Sequence, residues 1–136
     1  MKNCIFCKIV NGEIPAKKVY EDDYTIAFLD INPISNGHTL VIPKKHYLNF
    51  QDSDENVVAS VAITTKKVAE KLLKNCNSIQ GFNYLSNSGS IAGQIIEHFH
   101  MHVIPKYSKE NGFNINFIKD EDSFKINDFI DKIIIN

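Results

Sequence analysis

Three of the five histidines lie in one short run, Glu97-His98-Phe99-His100-Met101-His102-Val103-Ile104-Pro105. In a strand alternate side chains share a face, so His98, His100 and His102 project one way while Phe99, Met101 and Val103 enter the core. Three aligned imidazoles bury poorly unless their ring nitrogens find partners. Two chemistries fit such a row. One is a metal site; the other is a phosphate site in which one neutral imidazole attacks and another donates a proton. Just upstream, Asn87-Ser88-Gly89-Ser90-Ile91-Ala92-Gly93-Gln94 supplies small residues that let backbone N–H groups approach an anion, which favours phosphate. At the other end of the chain, Cys4-x-x-Cys7 is half of a zinc site by spacing, and His46 and His98 are available as nitrogen ligands. The alternative is a reduced pair of surface thiols. A redox role ranks lower, because the pair does not follow the strand-helix-strand pattern that such motifs use.

These groups must be positioned by 136 residues, 43% hydrophobic and 23% charged, which suits a single domain that needs no disulfide or metal merely to fold. All fifteen basic residues are lysines, set against sixteen acids, and the net charge of -1 argues against a nucleic-acid polymer as partner. The N-terminus lacks the apolar run of a signal peptide and no stretch is long enough to span a bilayer, so the expected location is cytoplasmic, with no membrane partner. Cys4, Cys7 and Cys76 are an odd set for a disulfide framework.

The expected elements run as follows. Phe6 to Val10 makes a short helix stopped by Gly12 and Pro15. Val19 to Glu21 and Tyr24 to Leu29 form a hairpin across Asp22-Asp23. His38 to Ile42 is a third strand, ended by Pro43. Ser53 caps one long helix whose stripe is Val57, Val61, Thr65, Val68, Leu72 and Cys76. Phe82 to Ser86 is a fourth strand and His98 to Ile104 a fifth, closed by Pro105. Ser123, Phe124, Ile126, Phe129, Ile130, Ile133 and Ile134 suggest a terminal helix with one apolar face. Short links between strands and one inserted helix argue for an antiparallel α+β fold over residues 1–136, with a core of 1–106 and a C-terminal extension of 107–136. Lys44-Lys45 reads as a solvated basic pair and Cys76 as a packed small hydrophobe.

The sequence resembles the histidine triad superfamily of nucleotide hydrolases and transferases. The residues that carry the resemblance are Cys4-Ile5-Phe6-Cys7-Lys8-Ile9 with Gly12-Glu13-Ile14-Pro15, Ala27-Phe28-Leu29-Asp30-Ile31, His38-Thr39-Leu40-Val41-Ile42-Pro43-Lys44-Lys45-His46, Asn87, Gly93-Gln94 and the alternating motif from His98. The longer tail, Tyr107 to Phe113, is similar to bacterial members of the nucleotide-binding branch.

The resemblance implies a five-stranded antiparallel sheet with one long helix, and a homodimer that joins two sheets through that helix and the following strand. It also implies a purine nucleoside monophosphate site. His100 would be the nucleophile that carries the nucleotidyl group, and His102 would bind phosphate and help protonate the leaving group. His38 would orient the cluster and His98 support it. Asp30 and Ile31 would hold ribose and base; Asn87, Gly93, Gln94 and Ile95 would line the phosphate and leaving-group side. Related proteins hold a structural zinc at the positions of Cys4, Cys7, His46 and His98, and no organic cofactor is implied. The eukaryotic branch carries a Ser where this chain has Ile95, leaving only a backbone N–H there. The expected activity is hydrolysis of nucleoside phosphoramidates or related nucleotide conjugates through a nucleotidyl-histidine intermediate. The rivals are a nucleotide sensor with incidental hydrolysis, a dinucleoside polyphosphate hydrolase, and a metalloenzyme that uses the histidine row as its catalytic zinc site.

Overall fold

Apolar alternation along the strands divides the chain between the two faces of one sheet. The computed structural model describes residues 3–120 and 125–135. Its elements are α1 (Ile5–Val10), β1 (Lys18–Glu21), β2 (Thr25–Leu29), β3 (Thr39–Pro43), α2 (Glu55–Asn75), β4 (Gly81–Leu85), β5 (Met101–Lys106) and α3 (Ile126–Ile133). The five strands pair antiparallel in the order β1-β2-β3-β5-β4, so β5, the strand that ends the histidine motif, lies inside the sheet.

One face is covered by α2, whose buried stripe Val61, Val68 and Ala69 meets Ala27, Val41, Phe99 and Val103. Each buried valine contributes about 1.5–3 kcal/mol relative to its exposed state. The Thr25 and Thr64 hydroxyls meet 2.7 Å apart and satisfy each other at this interface. The opposite face is covered by α1, where Phe6 and Ile9 pack on Ile26, Phe28, Leu40 and Ile42. Cross-strand register places Leu40 opposite His102, so the histidines occupy the α1 face, while Phe99 and Val103 enter the α2 core.

Three local expectations need correction. The fifth strand begins at Met101 rather than His98, because the Phe99 N–H donates to the Tyr47 carbonyl at 2.7 Å, outside the ladder. Pro105 does not close that strand, which continues to Lys106; β3 leaves β5 after Val103, and a strand with one neighbour tolerates proline. The residue capping α2 is Asp54, without a side-chain capping bond, whereas the Ser53 hydroxyl turns back to the Asn49 carbonyl at 2.7 Å. Ser123 and Phe124 of the expected terminal helix lie outside the described residues. From Ile126 to Ile133 the helix forms, and its Ile126, Phe129, Ile130 and Ile133 side chains are exposed. Among the described residues no helix is long and apolar enough to cross a membrane.

Candidate active site and metal centre

His38, His98, His100 and His102 converge on the α1 face of the sheet. His38 stands at the entrance to β3, where Gly37 adopts φ +88°, a left-handed turn that suits glycine. A Cβ there would come within 3.0 Å of Leu72. His38, His98 and His100 are buried and His102 half-buried. Phe6 of α1 seals the cluster edge-on, its ring 5.2 Å from that of His100 and 5.8 Å from that of His98.

The partners fix the proton on each ring, because a carbonyl only accepts and an amide N–H only donates. His100 donates from Nδ1 to the His98 carbonyl at 2.7 Å, which leaves Nε2 with its lone pair. The His38 Nδ1 accepts from the Ile34 N–H at 3.1 Å, so its proton is on Nε2, 2.9 Å from the His102 Nδ1. His102 therefore accepts at Nδ1 and carries its own proton on Nε2. The arrangement is an unprotonated nitrogen beside an oriented donor chain.

Burial lowers the pKa of all four imidazoles. For His102 the value is about 4, through desolvation first and then the neighbouring His100 and His38. His98 is also lowered to about 4, again chiefly by desolvation. His38 and His100 are lowered by burial and partly restored by the negative charge of Asp30. Neutral imidazoles are the form that can attack and relay.

Asp30 follows β2, with Oδ2 3.6 Å from the His38 Nε2 and Oδ1 accepting the Asn32 N–H at 2.9 Å. Beside it Ile31 is 88% exposed, an apolar surface without a protein partner. On the far side, Asn87 reaches the Gly93 carbonyl at 3.3 Å, and Gly93 itself adopts φ +100°. A Cβ at Gly93 would come within 3.1 Å of the Asn87 amide nitrogen, so the close turn needs glycine. Gln94 spends its side chain within the fold, accepting from Gly89 N–H at 2.9 Å and donating to the Leu48 and Ile96 carbonyls at 2.7 and 3.0 Å. Its own N–H is also bonded, to Gly89. Gln94 thus shapes the loop and has no donor left for an anion. The Ile95 N–H has no partner among the described residues, and its side chain is 88% exposed.

Cys4, Cys7, His46 and His98 offer four ligand atoms within 4.8 Å of one another. His98 donates from Nε2 to the Pro43 carbonyl at 2.8 Å, so Nδ1 presents a lone pair to the other three. That Nδ1 lies 3.2 Å from the His46 Nδ1, 3.4 Å from the Cys4 sulfur and 3.6 Å from the Cys7 sulfur. The ligands of a tetrahedral zinc, bound at about 2.0–2.3 Å, stand about 3.3–3.8 Å apart, so the donor set and its spacing fit zinc. A second trio, Asp30, His38 and His102, is also compact. Its proton placement fits a metal poorly, since a cation on the His38 Nε2 would force a proton onto Nδ1 against the Ile34 N–H.

Sequence reasoning missed three partners, Phe6 as a seal, the Ile34 N–H and the Pro43 carbonyl. Backbone groups leave no residue-type signal, but Phe6 lies inside the Cys4-x-x-Cys7 helix and was open to suspicion on position. Lys44 pairs with Glu21 at 2.8 Å, so it is an ion-pair partner rather than a freely solvated charge, and Lys45 lies exposed over the Tyr47 ring.

The family model for the HIT domain matches residues 11–109. A solved structure of a HIT family member from Bacillus subtilis superposes with a TM-score of 0.86 at 39% identity, covering 98% of this chain and 99% of that one. The adenosine 5'-monophosphoramidase of Schizosaccharomyces pombe is 40% identical over 115 residues, 85% of this chain and 83% of that protein. A zinc-bound histidine triad family protein from Mycobacterium smegmatis superposes with a TM-score of 0.77 at 35% identity, over 88% of this chain and 87% of that one.

Proposed function

The chain belongs to the HIT domain family, and on that footing we propose that it hydrolyses purine nucleotide conjugates of the phosphoramidate type through a nucleotidyl group carried on His100. The observation that carries this reading is the His100 Nδ1 bond to the His98 carbonyl at 2.7 Å, which leaves Nε2 as a buried neutral nucleophile. The 40% identity to an adenosine 5'-monophosphoramidase supports the same class of substrate.

In the first step the Nε2 of His100 bonds to phosphorus and the P–N bond to the leaving amine breaks. The departing nitrogen takes the proton from the His102 Nε2, and solvent replaces it. His38 holds His102 in the donating tautomer. In the second step water attacks phosphorus, its proton passes to solvent, and the bond to His100 breaks, which balances the proton drawn from solvent in the first step. Asp30 receives the ribose hydroxyls, Ile31 meets the base, and Asn87 with the Gly93 turn and the Ile95 N–H bounds the phosphate and leaving-group side.

Zinc at Cys4, Cys7, His46 and His98 is part of the proposal. Its contribution is structural, tying α1 and therefore Phe6 against His98 and His100. A homodimer through α2 and β4 completes it, since β4 is an edge strand with a free ladder side. The test is AMP release from adenosine 5'-phosphoramidate by the wild type and by His100→Ala, with AMP binding measured in parallel. Turnover lost with binding retained is expected. Equal turnover by the variant removes His100 from the nucleophile's role.

A further inference from the structure

A cavity of about 380 Å³ opens between α2 and the β1 side of the sheet. Leu29 and Thr39 form its floor; they pair across β2 and β3, two residues along from Ala27 and Val41 of the α2 core. The cavity therefore lies on the α2 face, and the histidine row lies on the other. Its apolar walls are Val19, Leu29, Val68 and Leu72. Val19 is 51% exposed and Leu29 37%, so the fold itself leaves this lining open.

Lys67 and Lys71 stand together among the lining residues, one turn apart on α2. Like charges at that spacing repel along a helix. On the neighbouring face the same spacing carries an ion pair, Lys66 with Glu70 at 2.9 Å. Lys67 is held in place by Tyr20, donating to its hydroxyl at 3.1 Å with the ammonium 5.1 Å from the ring centre. The Tyr20 hydroxyl in turn donates to Asp22 at 3.0 Å, and the other Asp22 oxygen accepts the Tyr24 and Thr25 N–H groups at 2.8 and 2.7 Å. Lys71 has no acid partner among the described residues, and no acidic side chain lines the cavity.

We propose that this cavity binds the anion of a free aliphatic carboxylic acid, its chain between Val19, Leu29, Val68 and Leu72 and its carboxylate bridging the Lys67 and Lys71 ammonium groups. A bridging anion turns the repulsion of the two lysines into two attractions, and the chain buries apolar side chains that the fold leaves open. The volume is that of a small-molecule site, apolar with a few polar groups at fixed places. The rival occupant within the sequence is α3, which carries Asp128 and Asp131 beside Ile126, Phe129 and Ile130. Those apolar side chains are exposed, so the α3 of this chain does not fill the cavity.

The experiment is calorimetric titration of the full chain with decanoate, below its micelle-forming concentration, with decanol and a peptide of residues 125–136 titrated in parallel. One decanoate per chain is expected, bound at least about tenfold more tightly than decanol. Lys71→Gln, at an exposed position, and Val19→Asp, which sets a like charge at the mouth, should each weaken decanoate by about tenfold. Equal affinity for decanol, or decanoate binding unchanged in both variants, overturns the site. A chain that binds the peptide and not decanoate assigns the cavity to a helix and overturns the proposal, as does a chain that binds none of the three.

Discussion

The Nδ1 of His100 lies 2.7 Å from the carbonyl oxygen of His98, two residues earlier in the same segment. That contact decides the chemistry of the ring. It places the proton where it cannot interfere, turns Nε2 outward with its lone pair, and works only because Met101 rather than His98 begins the ladder, leaving the His98 carbonyl outside it. The same His98 donates its own Nε2 proton to Pro43 at 2.8 Å and turns Nδ1 toward the two thiols. One residue therefore joins His100 to the Cys4, Cys7 and His46 cluster.

His38→Phe removes the donor that holds the His102 tautomer at 2.9 Å while leaving the nucleophile in place. The expected outcome is a fall in kcat of about a hundredfold with little change in KM. Steady-state kinetics with adenosine 5'-phosphoramidate checks it, and a variant with wild-type kcat contradicts the relay.

Zinc should accompany the purified protein at one per chain, and Cys4→Ser should abolish its retention. Chelation is expected to lower Tm by roughly 5–10 °C, the effect of losing about 2 kcal/mol in a domain of this size. Elemental analysis and thermal denaturation decide the matter. Direct loss of activity at unchanged Tm would point instead to a catalytic metal.

Acid should destabilise the fold through His102. Burial holds its folded pKa at about 4, below the ordinary 6.5, so between those values the unfolded chain binds more protons. Stability is full above pH 6.5 and falls as pH drops toward 4. Urea midpoints at pH 7.5, 5.5 and 4.5 should decline in that order, and less steeply in His102→Gln. A flat profile in the wild type contradicts the buried neutral ring.

A homodimer through α2 and β4 gives a solution mass twice the 15.5 kDa of one chain. Light scattering at micromolar concentration reads it, and a mass of one chain rules out a stable dimer.

Most of the scaffold was legible because periodicity is local. The spacing of Val61, Thr65, Val68 and Leu72 specifies a helix with one buried stripe, and the alternation around Phe99 and Val103 puts the histidines opposite the α2 core. The rest depended on contacts between distant segments. Nothing in the residue types shows that the Tyr47 carbonyl takes the Phe99 N–H, which delays the start of β5. Nor does a Ser-Asp pair show which residue caps a helix when the Ser hydroxyl has a competing carbonyl at Asn49. Gln94 falls in a motif that suggests phosphate contact, yet three local bonds consume its side chain. The bonds from the Lys106 ammonium to the Asn111 and Phe113 carbonyls, at 2.6 and 2.9 Å, were invisible because backbone oxygens leave no residue-type signal.

The nucleotidyl-histidine on His100 is tested most directly by single-turnover mass spectrometry. The purified protein is mixed with an adenosine phosphoramidate, quenched within one turnover and mapped by peptide. An added AMP mass on the peptide bearing His100, absent in His100→Ala, is the expected result. An unmodified His100 peptide at time points where AMP is already released would contradict covalent catalysis by this residue.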